Sequence, residues 1–391
     1  MSPAGNSPAD RADVDRRRRT LVAGAGAIAA GLAGDAMLAG EPAASSPRPA
    51  AGIEVALLTH AGGAHLGAYL RALAASPAVA TVRVADPDGA VFDEARAVLG
   101  GKLALLDRDA AVVLAAGRPR MALVSMEGAR APAAIRAALE QGCHVLAEKP
   151  ACTSAEEFAP LATQARRRGL SISLALANRL NPEVVEARRR LASGAIGRPM
   201  AVEMHLVQDQ TRLTRRDYQQ SWFADRARAG GGHLAWLGIH WLDLAMHLVG
   251  EPIASVSAST ANRGGQPVNI EDSAVLAFAF GGGALGTLAS GYWLDAGFQS
   301  HLRIWGSAGW LSIDAAPEAV LRVHVAGGPA DGEVVRTAAG GDAYGVFVDA
   351  VADAIGRDAA PPVTTEESLR VVKTVFAAYR ADATGVRVQV E

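Results

Sequence analysis

The strongest constraint in this chain is a change of grammar near residue 180. From Ile53 onward, short apolar runs alternate with stretches of helical period. Residues 53–58 predict a strand, 65–75 a helix, and 79–85 a second strand closing on Asp86-Pro87-Asp88. Residues 121–125 and 144–147 are further buried strands, with a helix over 132–141 between them. Strands separated by helices of about ten residues make βαβ units, whose right-handed crossovers build a parallel sheet covered on both faces. After Arg179-Leu180-Asn181-Pro182 the alternation stops. A helix over 182–192 leads to a strand over 200–207 and a long helix over 233–249. Closely spaced strands follow over 255–260, 274–280, 284–290, 301–305 and 320–325. That is the pattern of a mostly antiparallel sheet, one face of which needs a partner. The expected fold class is α/β: a Rossmann-type, doubly wound parallel sheet over 51–178, then a C-terminal α/β domain over 179–391 with a large, mostly antiparallel open sheet. Two amphipathic helices, 343–355 and 366–379, end the chain and can pack back on the first domain.

Residues 1–50 precede both cores. Arg16-Arg17-Arg18-Arg19 opens an apolar, Gly/Ala-rich stretch from Leu21 to Gly34, and a small-residue, Pro-rich linker follows. A charged start, a mild apolar middle and paired arginines match a twin-arginine export signal. The expected location is periplasmic or extracellular, with the export machinery as a partner. The alternative is a membrane anchor, but the apolar stretch falls short of the ~20 residues a span requires. The full sequence carries 38 basic and 40 acidic residues for a formal net charge of -2, so no basic field for nucleic acid is expected. Its two cysteines, Cys143 and Cys152, bracket an extended run and are expected as free thiols. Only Lys102, Lys149 and Lys373 are lysines, which raises the question of what Lys149 does that arginine could not.

Three motifs carry chemistry. The first βα turn holds Thr59, His60, Gly62 and Gly63, with Ala61 and Ala64 at positions where a dinucleotide fingerprint has glycine. It is a degraded cofactor turn or an ordinary βα loop. Asp86, at the end of the second strand, is placed to accept from an adenosine ribose hydroxyl, which favours NAD over NADP. Glu148-Lys149-Pro150 ends a buried strand at the carboxyl edge of the sheet, where open α/β sheets bind ligands. A Lys149 ammonium there can donate to a substrate oxygen or, with a lowered pKa, exchange a proton. Finally, on one helix His233, Trp236, His240, Asp243 and His247 fall within an arc of about 80° at ~100° per residue. His240, Asp243 and His247 have spacing suited to zinc, but no second ligand source accompanies them and no metal is expected. The histidines are structural, or His240 is a general acid/base.

Together these residues resemble the glucose–fructose oxidoreductase/inositol dehydrogenase (Gfo/Idh/MocA) family. The resemblance rests on Ala147-Glu148-Lys149-Pro150, Gly194-Ala195-Ile196-Gly197-Arg198-Pro199, Gly230 to Asp243, and Glu271-Asp272 before a strand. It implies an NAD(P)-binding domain with Thr59, His60, Gly62, Gly63, Asp86, Glu148 and Lys149 around the cofactor. It also implies an open sheet used for dimer or tetramer contacts, and a sugar, polyol or cyclitol substrate. Lys149 and His240 become the catalytic pair. Arg179, Gln208, Asp209, Arg212, His233, Trp236, Asp243 and Tyr292 are candidate substrate contacts. This chain departs from the family pattern at Trp236, where an Asp is usual. An indole offers one N–H donor and a flat face for stacking on a sugar ring. Three readings stay open: hydride transfer, a nicotinamide-assisted glycosidase or lyase, and a non-catalytic sugar-binding protein.

Overall fold

The computed structural model describes residues 52–315, 319–338 and 340–391. The expected export segment, residues 1–50, lies outside the described residues. Among the described residues, a six-stranded parallel sheet is followed by a nine-stranded, mostly antiparallel one. The first sheet comprises β1 (Ile53–Thr59), β2 (Val79–Ala85), β3 (Leu103–Asp107), β4 (Met121–Ser125), β5 (His144–Ala147) and β6 (Ile172–Leu174), in the order β3-β2-β1-β4-β5-β6. Every residue of β4 is buried, as a central strand with both faces covered requires. The order reverses between β1 and β4, so a crevice opens there at the carboxyl edge.

Helices α1 (Leu66–Ala75), α2 (Phe92–Leu99), α3 (Ala110–Ala115), α4 (Ala131–Glu140) and α5 (Ala155–Arg167) make the crossovers. The short edge strand β6 is not left bare. The Ile172 N–H donates to the Thr365 hydroxyl (2.9 Å) and the Leu174 N–H to the Ser368 hydroxyl (3.1 Å), both supplied by a helix near the C-terminus. Covering an edge this way removes an exposed template for strand pairing.

After α6 (Pro182–Ala192) comes the second sheet: β7 (Pro199–Asp209), β8 (Ile253–Ala261), β9 (Ser273–Phe280), β10 (Leu285–Leu294), β11 (Phe298–Gly306), β12 (Gly309–Ala315), β13 (Ala319–Val325), β14 (Glu333–Val335) and β15 (Val388–Gln389). Among the described residues of this sheet, only β7 and β10 pair in parallel. The alternation along β7 is strict: Val202, Met204 and Leu206 point into the core, while Glu203 and His205 lie on the outer face. Helix α7 (Ile239–Val249) and the terminal helices α8 (Ala343–Gly356) and α9 (Thr365–Thr384) complete the fold. Ser76, just past α1, donates to Asp349 of α8 at 2.7 Å.

One expectation needs correcting. Residues 233–249 are not a single α-helix: Leu234–Gly238 form a π turn, and α7 begins only at Ile239. The cause lies outside the segment. Glu271 accepts from the N–H groups of Gly232 (2.8 Å) and Leu234 (3.0 Å), and the Tyr379 hydroxyl accepts from the Ala235 N–H (3.2 Å). Those side chains take the donors that an ordinary helix start leaves unsatisfied. The π turn alters the phase of the predicted stripe, so its five residues meet three different surroundings.

Candidate active site

The lips of the crevice are the turns after β1 and β4. Thr59 Oγ1 donates to the Ser125 carbonyl (3.0 Å), and Ser125 Oγ donates to the Ala64 carbonyl (2.8 Å). His60 lies 2.7 Å from the Ala61 carbonyl through Nδ1, while its Nε2 accepts from the Glu127 N–H (3.2 Å). Thr59 and His60 therefore pin the two lips to each other. Gly63 is tight: a Cβ there would lie 2.5 Å from Thr59 Oγ1 and 2.6 Å from the Ser125 carbonyl oxygen. Gly62 adopts a left-handed φ of 79°, which glycine takes without strain. Helix α1 starts three residues beyond Gly63, so a turn too close for side chains leads into a helix N-terminus at the switch point. That arrangement fits a dinucleotide pyrophosphate. Asp86 is fully buried, and its oxygens accept from the N–H groups of Asp88 (3.1 Å) and Val91 (3.0 Å). A ribose would share those oxygens with the turn they shape.

Past β5, Glu148 and Lys149 are both buried, and the Lys149–Pro150 bond is cis. Glu148 accepts from Tyr69 (2.5 Å), is bonded to His65 Nδ1 (3.0 Å), and lies 3.6 Å from Lys149 Nζ. Burial alone would raise its pKa, but the Lys149 charge and these hydrogen bonds outweigh it and hold the carboxyl at about 2. Lys149 Nζ donates to the Trp236 carbonyl at 2.5 Å and sits 4.8 Å from the centre of the Trp236 indole. Burial lowers the pKa of this ammonium, an effect the Glu148 carboxylate opposes. The acceptor carbonyl lies inside the π turn, where the regular helical ladder is interrupted.

His240 stands within the field of Lys149. Burial first, and then that charge, depress its imidazole to about 3, so it is neutral across the physiological range. Among the described residues, His240 Nδ1, Trp236 Nε1 and His233 Nε2 are buried and find no hydrogen-bond partner. Such groups cost about 1–3 kcal/mol each unless something satisfies them. His233 occupies a neighbouring compartment. Its Nδ1 is 2.9 Å from Ser290 Oγ and its ring meets the edge of Tyr292 at 4.6 Å. Tyr292 is buried within the field of the exposed Arg212, and it lies opposite Gln208 in the β7–β10 register. Asp209, next along β7, accepts from the Thr211 N–H (3.1 Å).

Two expected substrate contacts face each other instead. Arg179 binds Asp243 through two bonds of 2.9 and 2.6 Å and also donates to Glu367 (2.6 Å). With Arg179 4% and Asp243 1% exposed, the pair is an internal clamp between the segment after β6, α7 and α9. Sequence reasoning missed Trp222 and Phe223, which stack at 3.7 Å and each meet Trp236 at 5.0 Å. Their only signal was two adjacent aromatics in an otherwise polar stretch before Gly230-Gly231-Gly232.

Comparison with known proteins decides the family. Residues 60–176 match the model of an oxidoreductase family with an NAD-binding Rossmann fold, and residues 184–312 match the GFO/IDH/MocA C-terminal domain; together these take in more than half of the chain. The chain belongs to the Gfo/Idh/MocA oxidoreductases. Its first half is thus an NAD-binding domain, and the crevice between β1 and β4 is where the fold places that cofactor. Over 182 residues the chain is 28% identical to D-glucoside 3-dehydrogenase of Escherichia coli, covering 42% of this chain and 48% of that protein. Over 236 residues it is 27% identical to levoglucosan dehydrogenase of Pseudarthrobacter phenanthrenivorans, covering 53% and 58%. The chain therefore spans about half the length of these two curated relatives. A levoglucosan dehydrogenase structure in complex with NADH and levoglucosan superposes with a TM-score of 0.77 at 20% identity, over 87% of this chain and 99% of that one. At that identity the superposition speaks for the fold.

Proposed function

We propose that this Gfo/Idh/MocA protein oxidises a secondary alcohol of a sugar, polyol or cyclitol. Hydroxyl-proton removal would fall to His240 and charge stabilisation to Lys149. The observation that carries this reading is a neutral imidazole with an unpartnered Nδ1, held within the field of a buried ammonium at the carboxyl edge of an NAD-binding sheet. A base must be neutral to accept a proton, and burial keeps His240 so. As the substrate oxygen gains charge, the Lys149 ammonium compensates it in a site where few waters screen the interaction. The Gly62-Gly63 turn and the start of α1 would hold the pyrophosphate. When bound, the nicotinamide supplies the hydride acceptor. Trp236 is packed by Lys149, Trp222 and Phe223, so what it offers beside the reacting groups is its indole N–H, suited to a sugar hydroxyl. The named relatives, dehydrogenases of a D-glucoside and of levoglucosan, support this substrate class.

A sugar and polyol panel incubated with the protein and NAD, followed by NADH absorbance, tests the reading. The expected result is NADH formation with at least one sugar and none with Lys149→Met, which still binds NADH. Sugar cleavage without net NADH, or equal turnover by Lys149→Met, would sink it.

We further infer export through the Arg18-Arg19 signal, tested by fractionating cells that carry Arg18→Lys with Arg19→Lys; unchanged location of the variant excludes it. A homo-oligomer formed through the outer face of the second sheet is proposed from its outward Val275, Leu285 and Trp305, which are 54%, 61% and 37% exposed. Light scattering that gives the monomer mass would refute it.

A further inference from the structure

The segment between β7 and the π turn crosses the crevice from lip to lip. On one side, Trp222 Nε1 donates to the Gly62 carbonyl at 3.0 Å. On the other, the Ala129 N–H donates to the Arg228 carbonyl at 3.0 Å and the Arg228 guanidinium pairs with Glu127 at 2.5 Å. Gly62 follows β1, while Glu127 and Ala129 follow β4, the two strands that flank the switch point. The strap is held down from within by aromatic contacts among Trp222, Phe223 and Trp236, and Trp222 is only 4% exposed. Asp225 fastens its far end by accepting from the Ala227 N–H (3.1 Å) and from Asn269 (3.2 Å).

We propose that Trp222 is a cofactor-retaining residue: its indole clamps the strap onto the nucleotide turn and slows dinucleotide release. This rests on the NAD-binding fold and not on the sugar reading. The indole and a pyrophosphate do not compete for the same atoms. Trp222 uses the carbonyl of Gly62, whereas an anion is met by backbone N–H groups, and the Gly62 N–H has no acceptor among the described residues. A Cβ on Gly62 would have only the Trp222 indole nitrogen, at 3.9 Å, within contact range. The turn is thus otherwise open on that side, and the indole is what stands over it. Leaving the crevice requires breaking one hydrogen bond and parting the edge contacts that Trp222 and Phe223 make with Trp236, which raises the barrier to dissociation more than it alters the seat itself.

The test is stopped-flow release of NADH, excited directly and chased with excess NAD, in the full chain and in Trp222→Ala and Trp222→Phe. Loss of one hydrogen bond and its aromatic contacts should accelerate release about tenfold in Trp222→Ala and change equilibrium binding by less than that factor. Trp222→Phe keeps a ring and loses the donor, so it should fall between. Melting curves report whether each variant folds, and the phenylalanine variant decides alone if the alanine one does not. Release within twofold of the parent in every folded variant would overturn the proposal. Tighter NADH binding on removing the indole would overturn it too, because it would mean that Trp222 occupies the seat. A parent protein that binds no NADH would refute both the clamp and the cofactor assignment beneath it.

Discussion

The run from His233 to His247 meets two opposite environments. Its first half, with Trp236 and His240, faces Lys149 and keeps polar atoms without partners. Its second half, with Asp243, is closed by Arg179 and Glu367 into a fully bonded ion-pair network. Residue types are similar in both halves: titratable groups on a largely apolar helix. What differs is satisfaction. Unmet polar atoms mark where a ligand is awaited, and met ones mark where the fold is being held.

The contrast breaks most sharply at His240. His240→Asn keeps the size and polarity of the side chain but removes the base. The expected loss in kcat/KM is about 10^2–10^4-fold, read from initial rates on whichever sugar the panel identifies. A loss below tenfold would move the base elsewhere and leave the unpartnered Nδ1 as a packing defect.

Asp243 should respond on the other scale. Asp243→Ala leaves a buried guanidinium with one partner fewer, at a cost of about 3–5 kcal/mol in unfolding free energy, measured by urea denaturation. Replacing Arg179 by Met in the same chain should recover part of that loss, because no uncompensated charge then remains inside. Additive losses would show that the two side chains do not act as a pair.

Lys149 tests the choice of cation at the boundary between the halves. Lys149→Arg keeps the charge, but a planar fork cannot replace a compact ammonium seated 2.5 Å from the Trp236 carbonyl. The predicted loss is about 10^2–10^3-fold in kcat/KM, as for removal of a single oxyanion donor, with NADH binding retained. Parent-like rates would mean that any positive charge suffices.

The elements with strong local period were legible in the sequence. Strand 121–125 and helix 182–192 match their predicted bounds, while β12 (Gly309–Ala315) lies between two predicted strands and carries no prediction. The missing pieces lacked local signals. Strand β6 is three residues long and borrows partners from Thr365 and Ser368, nearly two hundred positions away. Strand β3 is a half-buried edge without clean alternation. The π turn depends on Glu271 and Tyr379, so helical spacing could not reveal it. At the site, the strand end that carries Lys149 and the helix that carries His240 are local features, so the sequence shows both placements. Arg179 and Asp243 were read as substrate contacts because a charged residue in a cleft and one in an internal pair look alike until the partner is known.

The smallest expected effect uses pH. Burial holds His233 and His240 at about 3, below the ordinary imidazole value of 6.5. In the unfolded chain both take up protons as pH falls through 6.5, while in the folded chain they stay neutral until about pH 3. The unfolded state therefore binds more protons in this window, and stability falls as the solution is acidified. Each group contributes a slope of up to about 1.4 kcal/mol per pH unit. The carboxyl of Glu148, held at about 2, adds its own loss only below its unfolded value near 4.5. Urea titrations between pH 6.5 and 5 therefore read the imidazoles. His247, held at about 4, and His60, His144 and His205, also lowered by burial, add to the parent slope a share that the double variant retains. The slope should flatten in His233→Asn with His240→Asn, whatever the absolute stability of that variant. An unchanged slope would mean that both rings reach solvent and protonate in the folded state, and the first half of the helix would then lose the buried neutrality on which its proposed chemistry depends.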